Sequence, residues 1–405
     1  MTSPAERFAA AKLRGKHPLT IEFIEQFDFG FDDFQIAACQ AVEDGKGVLV
    51  AAPTGAGKTV VGEFAAFSAL AQGKKCFYTT PIKALSNQKF QEFVERFGED
   101  RVGLLTRDTN INSEADVLVM TTEVLRNMLY ANSSTHKNLG SVVMDEVHYL
   151  ADKSRGAVWE EVLIHLMESV QVISLSATVS NAEEFGDWLG EVRGSTEVIV
   201  SEVRPIPLYQ HVLIGDRLVD LFREQGRINP EILGLEREAM RQVRTPRHRR
   251  ERFGDGDNRL TRPDIIEKLQ RENLLPAITF IFSRAGCDAA VKQCLAAGLK
   301  LTTTEERVEI AATAARYTQN LAEEDLEVLG YRDWLNALER GVAAHHAGLL
   351  PSFKGAVEDL FKRGLVKAVF ATETLALGIN MPARTVVLEK LTKWNGESHV
   401  SITQG

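Results

Sequence analysis

The stretch Ala52-Pro53-Thr54-Gly55-Ala56-Gly57-Lys58-Thr59 decides the fold of this chain. It lies between a short apolar run typical of a buried strand and a longer pattern typical of a helix. This pattern is typical of a phosphate-binding loop, and the stretch is called the phosphate loop below. In such a loop, glycines let backbone N–H groups wrap around phosphates, a lysine reaches the β- and γ-phosphates, and a threonine hydroxyl binds Mg²⁺. The predicted nucleotide-binding residues are therefore Thr54, Gly55, Ala56, Gly57, Lys58 and Thr59, and Thr59 is also a predicted metal ligand.

An acidic motif follows a later predicted strand, where Ser141 to Met144 ends in Asp145-Glu146-Val147-His148. An aspartate there, beside a phosphate loop, can hold Mg²⁺. The next residue, on the other side of an extended backbone, can orient or deprotonate an attacking water. Ser176 and Thr178, at the end of the following predicted strand, can hydrogen-bond this acidic site. Alone, the motif could be an ordinary strand end. Together with the phosphate loop it predicts a hydrolytic site, with Asp145 as a metal ligand and the catalytic residues Lys58, Asp145, Glu146, Ser176 and Thr178.

Strand and helix patterns alternate along most of the chain. The predicted strands are short, apolar and bounded by turn or polar residues. They are Val48 to Ala52, Lys75 to Thr80, Asp116 to Met120, Ser141 to Asp145, Gln171 to Ser176, Ala277 to Phe282, Lys367 to Ala371 and Thr385 to Leu388. Helices are predicted over Thr59 to Gln72 and Lys83 to Phe97. Such alternation is typical of a parallel sheet covered on both faces, so the sequence predicts an α/β fold with two lobes.

The boundary between the lobes is predicted near Ser201 to Pro207, because Arg204-Pro205-Ile206-Pro207 cannot lie inside a helix. Thr302 to Arg340 is charged and helix-prone, which predicts a helical insertion. The predicted organisation is an N-terminal extension at 1–20, a first lobe at 21–203, and a second lobe at 204–405 with a linker or insertion at 225–265 and the helical insertion at 302–340.

Composition excludes several classes of protein. With 405 residues, 44% of them hydrophobic and 25% charged, the chain is not a disordered one. No apolar run approaches the ~20 residues that span a bilayer, so no membrane association is expected. Four scattered cysteines fit neither a disulfide framework nor a zinc site and indicate the reducing cytoplasm. The net charge of −9 argues against a protein that coats nucleic acid but allows one that grips it in a local groove.

One segment is positively charged, although the chain as a whole is negatively charged. Glu236 to Arg252 carries seven arginines against three glutamates. It has two interpretations, a solvated surface segment or a patch that contacts phosphates. The first is favoured because aromatic residues do not alternate with the arginines, as they would in a stacking platform.

From Phe34 to Gly396, the ordered motifs resemble those of superfamily-two DExH-box helicases of the superkiller-like group, the exosome-associated RNA helicases. The resemblance implies two RecA-like lobes, the second incomplete at its carboxyl end, with ATP and Mg²⁺ in the cleft and a nucleic-acid strand across both lobes. It assigns Gln35 to the adenine base, and Gly378 and Asn380 to the nucleotide. It also implies that Ser176 and Thr178 couple hydrolysis to closure of the lobes.

The same resemblance places further residues along the nucleic-acid strand. Several lie where a predicted strand opens into a helix, and N–H groups at a helix N-terminus suit backbone phosphates. Helix capping is the alternative for any one of them. Arg107 stands where the family has glycine, and could add a phosphate contact or block close approach. The predicted nucleic-acid contacts are Pro81, Lys83, Thr122, Glu123, Arg126, Ser283, His346, Thr372, Thr374 and Trp394.

Two features of the second lobe leave alternatives open. His345 and His346 are adjacent in a segment expected to be extended, so their side chains point to opposite faces. They could be buried and hydrogen-bonded, could belong to a backbone turn that contacts the strand, or, least favoured, could bind a metal. Asn395-Gly396 predicts a hairpin turn. In the family a hairpin here splits the duplex, and Trp394 could stack on a base or pack on the lobe.

The family continues from this hairpin into a glycine- and arginine-rich motif, and the present sequence ends before it, at Gly405. Either a fragment of a longer helicase or a naturally shortened protein is expected, and both predict Mg·ATP binding with weak stimulated hydrolysis. The leading prediction is an ATP-dependent RNA helicase core in RNA processing or decay, which moves along single-stranded RNA or a 3′ overhang and unwinds duplexes. A nucleotide-gated RNA clamp and a DNA helicase are the alternatives, and the sequence does not identify the protein partners.

Overall fold

The computed structural model describes residues 15–131, 137–151, 156–177, 182–223, 226–235, 237, 260–372, 375, 381–394 and 399–401. The chain divides into two compact units, residues 1–207 and residues 208–404, here called the first and second units. This division lies four residues from the boundary predicted between 203 and 204.

The first unit alternates strands with helices. Its helices are α1 (Pro18–Ile24), α2 (Asp33–Glu43), α3 (Thr59–Ala71), α4 (Lys83–Phe97), α5 (Thr122–Tyr130), α6 (Gly156–His165) and α7 (Ala182–Arg193). Its strands are β1 (Gly47–Ala51), β2 (Lys75–Thr80), β3 (Val102–Thr106), β4 (Thr109–Ile111), β5 (Val117–Thr121), β6 (Leu139–Met144), β7 (Gln171–Ser176) and β8 (Thr196–Val200). Short 3₁₀ turns lie at Glu99–Arg101 and Val147–Ala151.

These strands form one sheet in the order β4-β3-β5-β2-β6-β7-β1-β8. All described pairings are parallel except that of β4 with β3. Alternate residues of a strand enter different cores: Val48 and Val50 pack with Phe64 on one face, and Leu49 packs with Trp159 on the other. Both faces are therefore covered, as expected for a parallel sheet, and the predicted α/β architecture is confirmed.

The second unit repeats this design on a smaller scale. Its helices are α8 (Arg262–Arg271), α9 (Arg284–Ala296), α10 (Thr304–Thr318), α11 (Glu323–Val328), α12 (Tyr331–Glu339) and α13 (Pro351–Lys362). Its strands are β9 (His211–Ile214), β10 (Arg217–Asp220), β11 (Ala277–Phe280), β12 (Val342–His345), β13 (Ala368–Ala371), β14 (Thr385–Leu388), β15 (Thr392–Trp394) and β16 (His399–Ser401).

A parallel sheet of order β12-β13-β11-β14 is the centre of the second unit. The segment predicted as a helical insertion is helical, as α10 to α12, and it takes part in the core: Ile310, Ala314 and Leu338 are buried with Val369 of β13. On the opposite face α9 buries Cys287 and Cys294. Among the described residues, no helix has the length and apolar character of a membrane span.

Candidate functional site

The predicted site residues of the first unit gather at one edge of its sheet. Strands β5, β2, β6, β7 and β1 are consecutive neighbours and run parallel, so their carboxyl ends meet at the same edge, which is where α/β proteins bind ligands. The phosphate loop follows β1 there, and hydrogen bonds tie the neighbouring strand ends together. Ala52 N donates to Ser176 O at the end of β7 (3.1 Å), and Asp145 N after β6 donates to Thr79 O of β2 (2.9 Å).

The phosphate loop has the backbone conformation that its glycines predict. Gly55 and Gly57 have φ of +85° and +80°, a region that glycine adopts without strain. A Cβ on Gly57 would come within 2.6 Å of Gln35 Nε2, whereas one on Gly55 would meet no atom within 4 Å. The loop leads directly into α3, so N–H groups at a helix N-terminus face the same edge.

Lys58 lies folded over its own loop. Its Nζ donates to the carbonyl oxygens of Ala52 (2.7 Å) and Pro53 (3.1 Å). Burial lowers the pKa of the ammonium, and the carboxylates of Glu146 and Asp145 oppose this effect. A partly desolvated cation in a glycine loop is complementary to a polyphosphate.

Gln35 joins helix α2 to the phosphate loop. Its Oε1 accepts from Asp32 N (2.9 Å) as the second half of a capping box. Its Nε2 donates to the carbonyl oxygens of Ala56 (3.3 Å) and Gly57 (3.1 Å). The amide is buried and supports the loop, and its assignment to the adenine base stays a prediction.

Asp145 is buried, and both of its carboxylate oxygens accept hydrogen bonds. The Tyr78 hydroxyl donates to Oδ2 (2.8 Å) and the Glu146 N–H donates to Oδ1 (3.0 Å). Burial, followed by the charge of Asp145, raises the pKa of the Tyr78 hydroxyl, so this hydroxyl stays protonated and acts as a donor. The orientation of the carboxylate is thereby set by a strand neighbour and by the following residue.

The backbone at Glu146 differs from the expectation. Glu146 has φ of +54° and lies in a turn, so the prediction of an extended backbone at this residue was wrong. Burial and, next, Asp145 raise the pKa of the Glu146 carboxyl to about 7, while Lys58 and Lys89 act in the opposite direction. Its buried Oε2 has no hydrogen-bond partner among the described residues, although His148 Nδ1 is 3.3 Å away. A carboxyl with a pKa near neutrality and an open acceptor has the properties of a general base.

Sequence reasoning missed two residues of this site, Tyr78 and Lys89. Tyr78 is fully buried in β2 and its ring packs edge-to-face on Phe93 (5.1 Å). Lys89 is buried in α4, and its Nζ donates to Thr59 Oγ1 (3.1 Å) and Glu92 Oε2 (2.7 Å). The sequence feature that could have identified these two residues is a polar side chain at a position expected to face the core. A buried hydroxyl or ammonium requires a hydrogen-bonding or charged partner.

The predicted metal ligands have the chemistry that Mg²⁺ requires. Thr59 Oγ1 and the oriented Asp145 carboxylate supply oxygen atoms, and Glu146 Oε2 lies in the same acidic turn near His148. No group of three or more His, Cys, Asp or Glu side chains in the described part of the chain could hold a metal alone. Proteins bind Mg²⁺ through one or two carboxylates together with substrate phosphates, so the predicted role requires no more protein ligands than Thr59 and Asp145.

The predicted nucleic-acid contacts of the first unit differ in access. Lys83 is exposed at the start of α4, with its Nζ 3.2 Å from Asp108 Oδ2. Pro81 and Thr122 are buried, and Thr122 Oγ1 donates to Thr80 O (3.3 Å), so these two offer only backbone to a ligand. Glu123 and Arg126 are half-buried on α5, and Arg126 lies 3.6 Å from Glu161. Arg107 is exposed in the turn between β3 and β4.

In the second unit the two histidines are buried and paired with carboxylates. His345 Nε2 is 2.8 Å from Glu358 Oε1, and His346 Nε2 is 3.0 Å from Asp288 Oδ1. Gly348 N donates to His346 Nδ1 (3.1 Å), which closes a turn after β12. These contacts favour the buried, hydrogen-bonded alternative, and any nucleic-acid contact here is left to the backbone of the turn.

The remaining predicted contacts lie at strand ends of the second unit or outside the described residues. Ser283 caps α9, its Oγ accepting from Gly286 N (3.2 Å), and half-buried Thr372 follows β13. Strands β15 and β16 pair antiparallel with Trp394 opposite His399, which confirms the hairpin strands. Predicted residues outside the described part of the chain are Thr178, Thr374, Gly378, Asn380, the turn Asn395-Gly396 and most of the arginine-rich segment.

Comparison with known proteins agrees with this geometry. Residues 32–185 match the DEAD/DEAH box helicase family. The chain is 58% identical over 397 residues to the "Probable helicase HelY" of Mycobacterium leprae, covering 95% of this chain and 43% of that protein. It is 43% identical over 420 residues to the "DExH-box ATP-dependent RNA helicase DExH15 chloroplastic" of Arabidopsis thaliana, covering 94% and 35%. Identity to the human "Superkiller complex protein 2" is 40% over 397 residues, covering 94% and 31%.

The chain spans less than half the length of each of these relatives. The similarity to these relatives nevertheless covers nearly all of the present chain, and the family match includes the phosphate loop and the acidic turn. Residues 32–185 therefore form a DEAD/DEAH box helicase domain, and the chain is similar over nearly its whole length to HelY and superkiller-type helicases.

Proposed function

We propose that this chain is the core of an ATP-dependent RNA helicase that couples ATP hydrolysis to movement along single-stranded RNA. The observation that carries the proposal is the convergence of the phosphate loop and the Asp145–Glu146 turn at one edge of the first sheet. The Arabidopsis relative, named as an ATP-dependent RNA helicase, supports RNA as the substrate. Four buried free thiols fit a reducing compartment such as the cytoplasm.

The phosphate loop and Lys58 hold the triphosphate in this proposal. The positive φ at Gly55 and Gly57 lets the backbone N–H groups approach phosphate oxygens, and the Lys58 ammonium leaves two carbonyl oxygens of its own loop to meet them. Thr59 and Asp145 hold Mg²⁺, which when bound neutralises charge on the phosphates. The two hydrogen bonds to Asp145 keep its carboxylate in one orientation.

Glu146 accepts the proton of the attacking water. Its carboxyl has a pKa of about 7, so a large fraction is ionised at neutral pH and the conjugate acid forms readily. Glu146 lies in a turn, with φ of +54°, and directly follows Asp145, whose carboxylate is held in one orientation.

Nucleic acid binds through its backbone in this proposal. The helix N-termini at Lys83 and Thr122, and that of α9 after Ser283, offer N–H groups and one exposed ammonium to phosphates. Contacts of this kind do not depend on base sequence, which suits movement along a strand in RNA processing or decay.

The test is ATP turnover by the chain with single-stranded RNA, single-stranded DNA and no nucleic acid. RNA is expected to accelerate turnover more than DNA. Glu146→Gln is expected to bind Mg·ATP with an affinity close to that of the unmodified chain and to lose turnover by about 10²-fold or more. Strand separation is then measured on a duplex with a 3′ overhang.

Full turnover in Glu146→Gln would contradict the assignment of the base. Equal binding of RNA and DNA with stimulation only by DNA would instead identify a DNA helicase. ATP-dependent RNA binding without any turnover would identify a nucleotide-gated clamp.

A further inference from the structure

A buried ammonium joins the phosphate-loop helix to its neighbour. Lys89 of α4 is only 7% exposed, and its Nζ donates to Thr59 Oγ1 of α3 (3.1 Å) as well as to Glu92 Oε2 (2.7 Å). A lysine is almost never buried to this extent unless it is paired, because removing its charge from water is costly. Glu92, which also lies on α4, supplies the opposite charge that pairs with Lys89. The hydrogen bond from Lys89 to Thr59 is therefore an additional contact, and it joins two helices.

A second ionic contact joins the same two helices further along. Arg96 Nε of α4 lies 3.3 Å from Glu63 Oε2 of α3, one helical turn beyond Thr59. Both side chains are largely buried, and burial raises the pKa of Glu63 against the opposing charges of Arg96 and Lys89. Helices α3 and α4 are therefore joined by directed polar contacts, which limit independent sliding of one past the other.

These two helices begin at the two predicted binding sites of the first unit. Helix α3 begins at Thr59, directly after the phosphate loop, and α4 begins at Lys83, directly after the strand end that carries Pro81. A movement of α4 caused by a ligand at its N-terminus would reach Lys89 within two turns, because an α-helix transmits displacement as a rigid element.

The hydroxyl of Thr59 can serve both groups at once. A threonine hydroxyl has one donor hydrogen and two acceptor lone pairs. The hydrogen bond from Lys89 occupies one lone pair and so restricts the direction of the other, which is the one left for Mg²⁺.

We propose that Lys89 is a positioning residue that couples the two sites, transmitting the position of α4 when a nucleic-acid strand binds to the Thr59 hydroxyl that holds Mg²⁺. This inference rests on the proposed function. It implies that nucleic acid tightens Mg·ATP binding through Lys89, and by reciprocity that Mg·ATP tightens nucleic-acid binding by the same factor.

The experiment measures the affinity of the 405-residue chain for a non-hydrolysable ATP analogue with Mg²⁺, in the absence and in the presence of saturating single-stranded RNA. The ratio of the two dissociation constants is the coupling factor, and it is expected to be about fivefold or more in the unmodified chain. In Lys89→Met the factor is expected to fall below about twofold, because the affinity in the presence of RNA falls more than the affinity in its absence.

Two variants control for the loss of a lysine and for folding. Lys74→Met removes an exposed lysine from the turn between α3 and β2 and should keep the full coupling factor. Lys89→Gln keeps a polar partner for Glu92 but is too short and uncharged to hold Thr59. It should lose coupling as Lys89→Met does, and it serves if thermal unfolding shows that the methionine variant is not folded.

An unchanged coupling factor in a folded Lys89 variant would overturn the inference and leave the proposed function intact. A loss of affinity that is equal with and without RNA would also overturn it, because Lys89 would then only support the metal site. A chain that binds neither RNA nor DNA would contradict the proposed function itself, and the inference with it.

Discussion

At the scale of single residues, Glu146 keeps a partly unsatisfied carboxyl in a buried position. Its pKa of about 7 lies above the usual value of 4.5 because burial penalises the charge. The folded chain therefore binds this proton more tightly than the unfolded chain, and stability falls as pH rises from about 4.5 to about 7. The loss of folding stability caused by ionisation of this buried carboxyl is complete above about pH 7 and is absent below about pH 4.5.

Glu146→Gln is thus expected to stabilise the folded chain at pH 8 by about 3 kcal/mol and to have little effect near pH 4.5. Urea unfolding at the two pH values measures this difference. Glu160→Gln, on an exposed position of α6, is the control and should show no such pH-dependent gain. An equal effect of Glu146→Gln at both pH values would contradict the raised pKa.

Tyr78 is the second residue whose role can be tested alone. Tyr78→Phe deletes only the hydroxyl that donates to Asp145 Oδ2, and the ring keeps its contact with Phe93. One carboxylate oxygen then loses its donor, and partners that orient a metal ligand are typically worth about 10- to 100-fold in metal affinity. The Mg²⁺ concentration needed for half-maximal nucleotide binding is therefore expected to rise about tenfold.

The matched control for this change is Tyr130→Phe, which removes a hydroxyl from an exposed tyrosine of the same unit. It should leave the Mg²⁺ dependence as it is. If Tyr78→Phe also left it unchanged, the hydrogen bond to Asp145 would have no part in orienting the metal ligand.

At the scale of elements, the phosphate loop depends on its two glycines to different degrees. Alanine at either position is strained by about 1–2 kcal/mol, because both have positive φ. Only at Gly57 would the new Cβ also meet Gln35 Nε2, at 2.6 Å, and displace the amide that supports the loop. Gly57→Ala is therefore expected to reduce the free energy of unfolding by about 1–3 kcal/mol more than Gly55→Ala does.

Denaturant unfolding of both variants measures this difference directly. Equal losses would mean that Gln35 moves aside without cost. The bonds from Gln35 to Ala56 and Gly57 would then have little importance for the loop.

At the scale of the whole molecule, the two compact units predict a local response to nucleotide. A ligand stabilises the structure that binds it by RT ln(1 + [L]/Kd), which is about 2.7 kcal/mol at a hundredfold excess over Kd. Mg·ADP at that excess is expected to slow hydrogen exchange by about 100-fold in β1, α3 and β6 of the first unit. Exchange in β11 to β14 of the second unit is expected to change little.

Lys58→Ala provides the comparison, since it should abolish the slowing in the first unit. Equal slowing in both units of the unmodified chain would show that they open as one cooperative structure, contrary to the division at residues 207 and 208.

Most helices and strands could be predicted from the sequence because each depends mainly on the pattern of residues within it. Helix α4 begins at Lys83 and ends at Phe97, as its pattern predicted, and β14 spans Thr385–Leu388. The strand predicted at Asp116 to Met120 is shifted by one residue, to Val117–Thr121. The turn at Glu146 escaped prediction because a non-glycine residue at positive φ is uncommon, and here it depends on the neighbouring Asp145 accepting its N–H.

The sequence by itself determined the parallel α/β architecture and predicted the chemical groups of the candidate nucleotide site. The phosphate loop and the acidic motif each require only a few consecutive residues after a strand. The tertiary structure decided how these groups are oriented: Tyr78 reaches Asp145 across 67 residues of chain and Lys89 reaches Thr59 across 30. Contacts of this kind depend on the strand order β2-β6 and on the packing of α4 beside α3. That packing results from the burial of whole apolar faces of helices and of the sheet, so it cannot be predicted from any short run of consecutive residues.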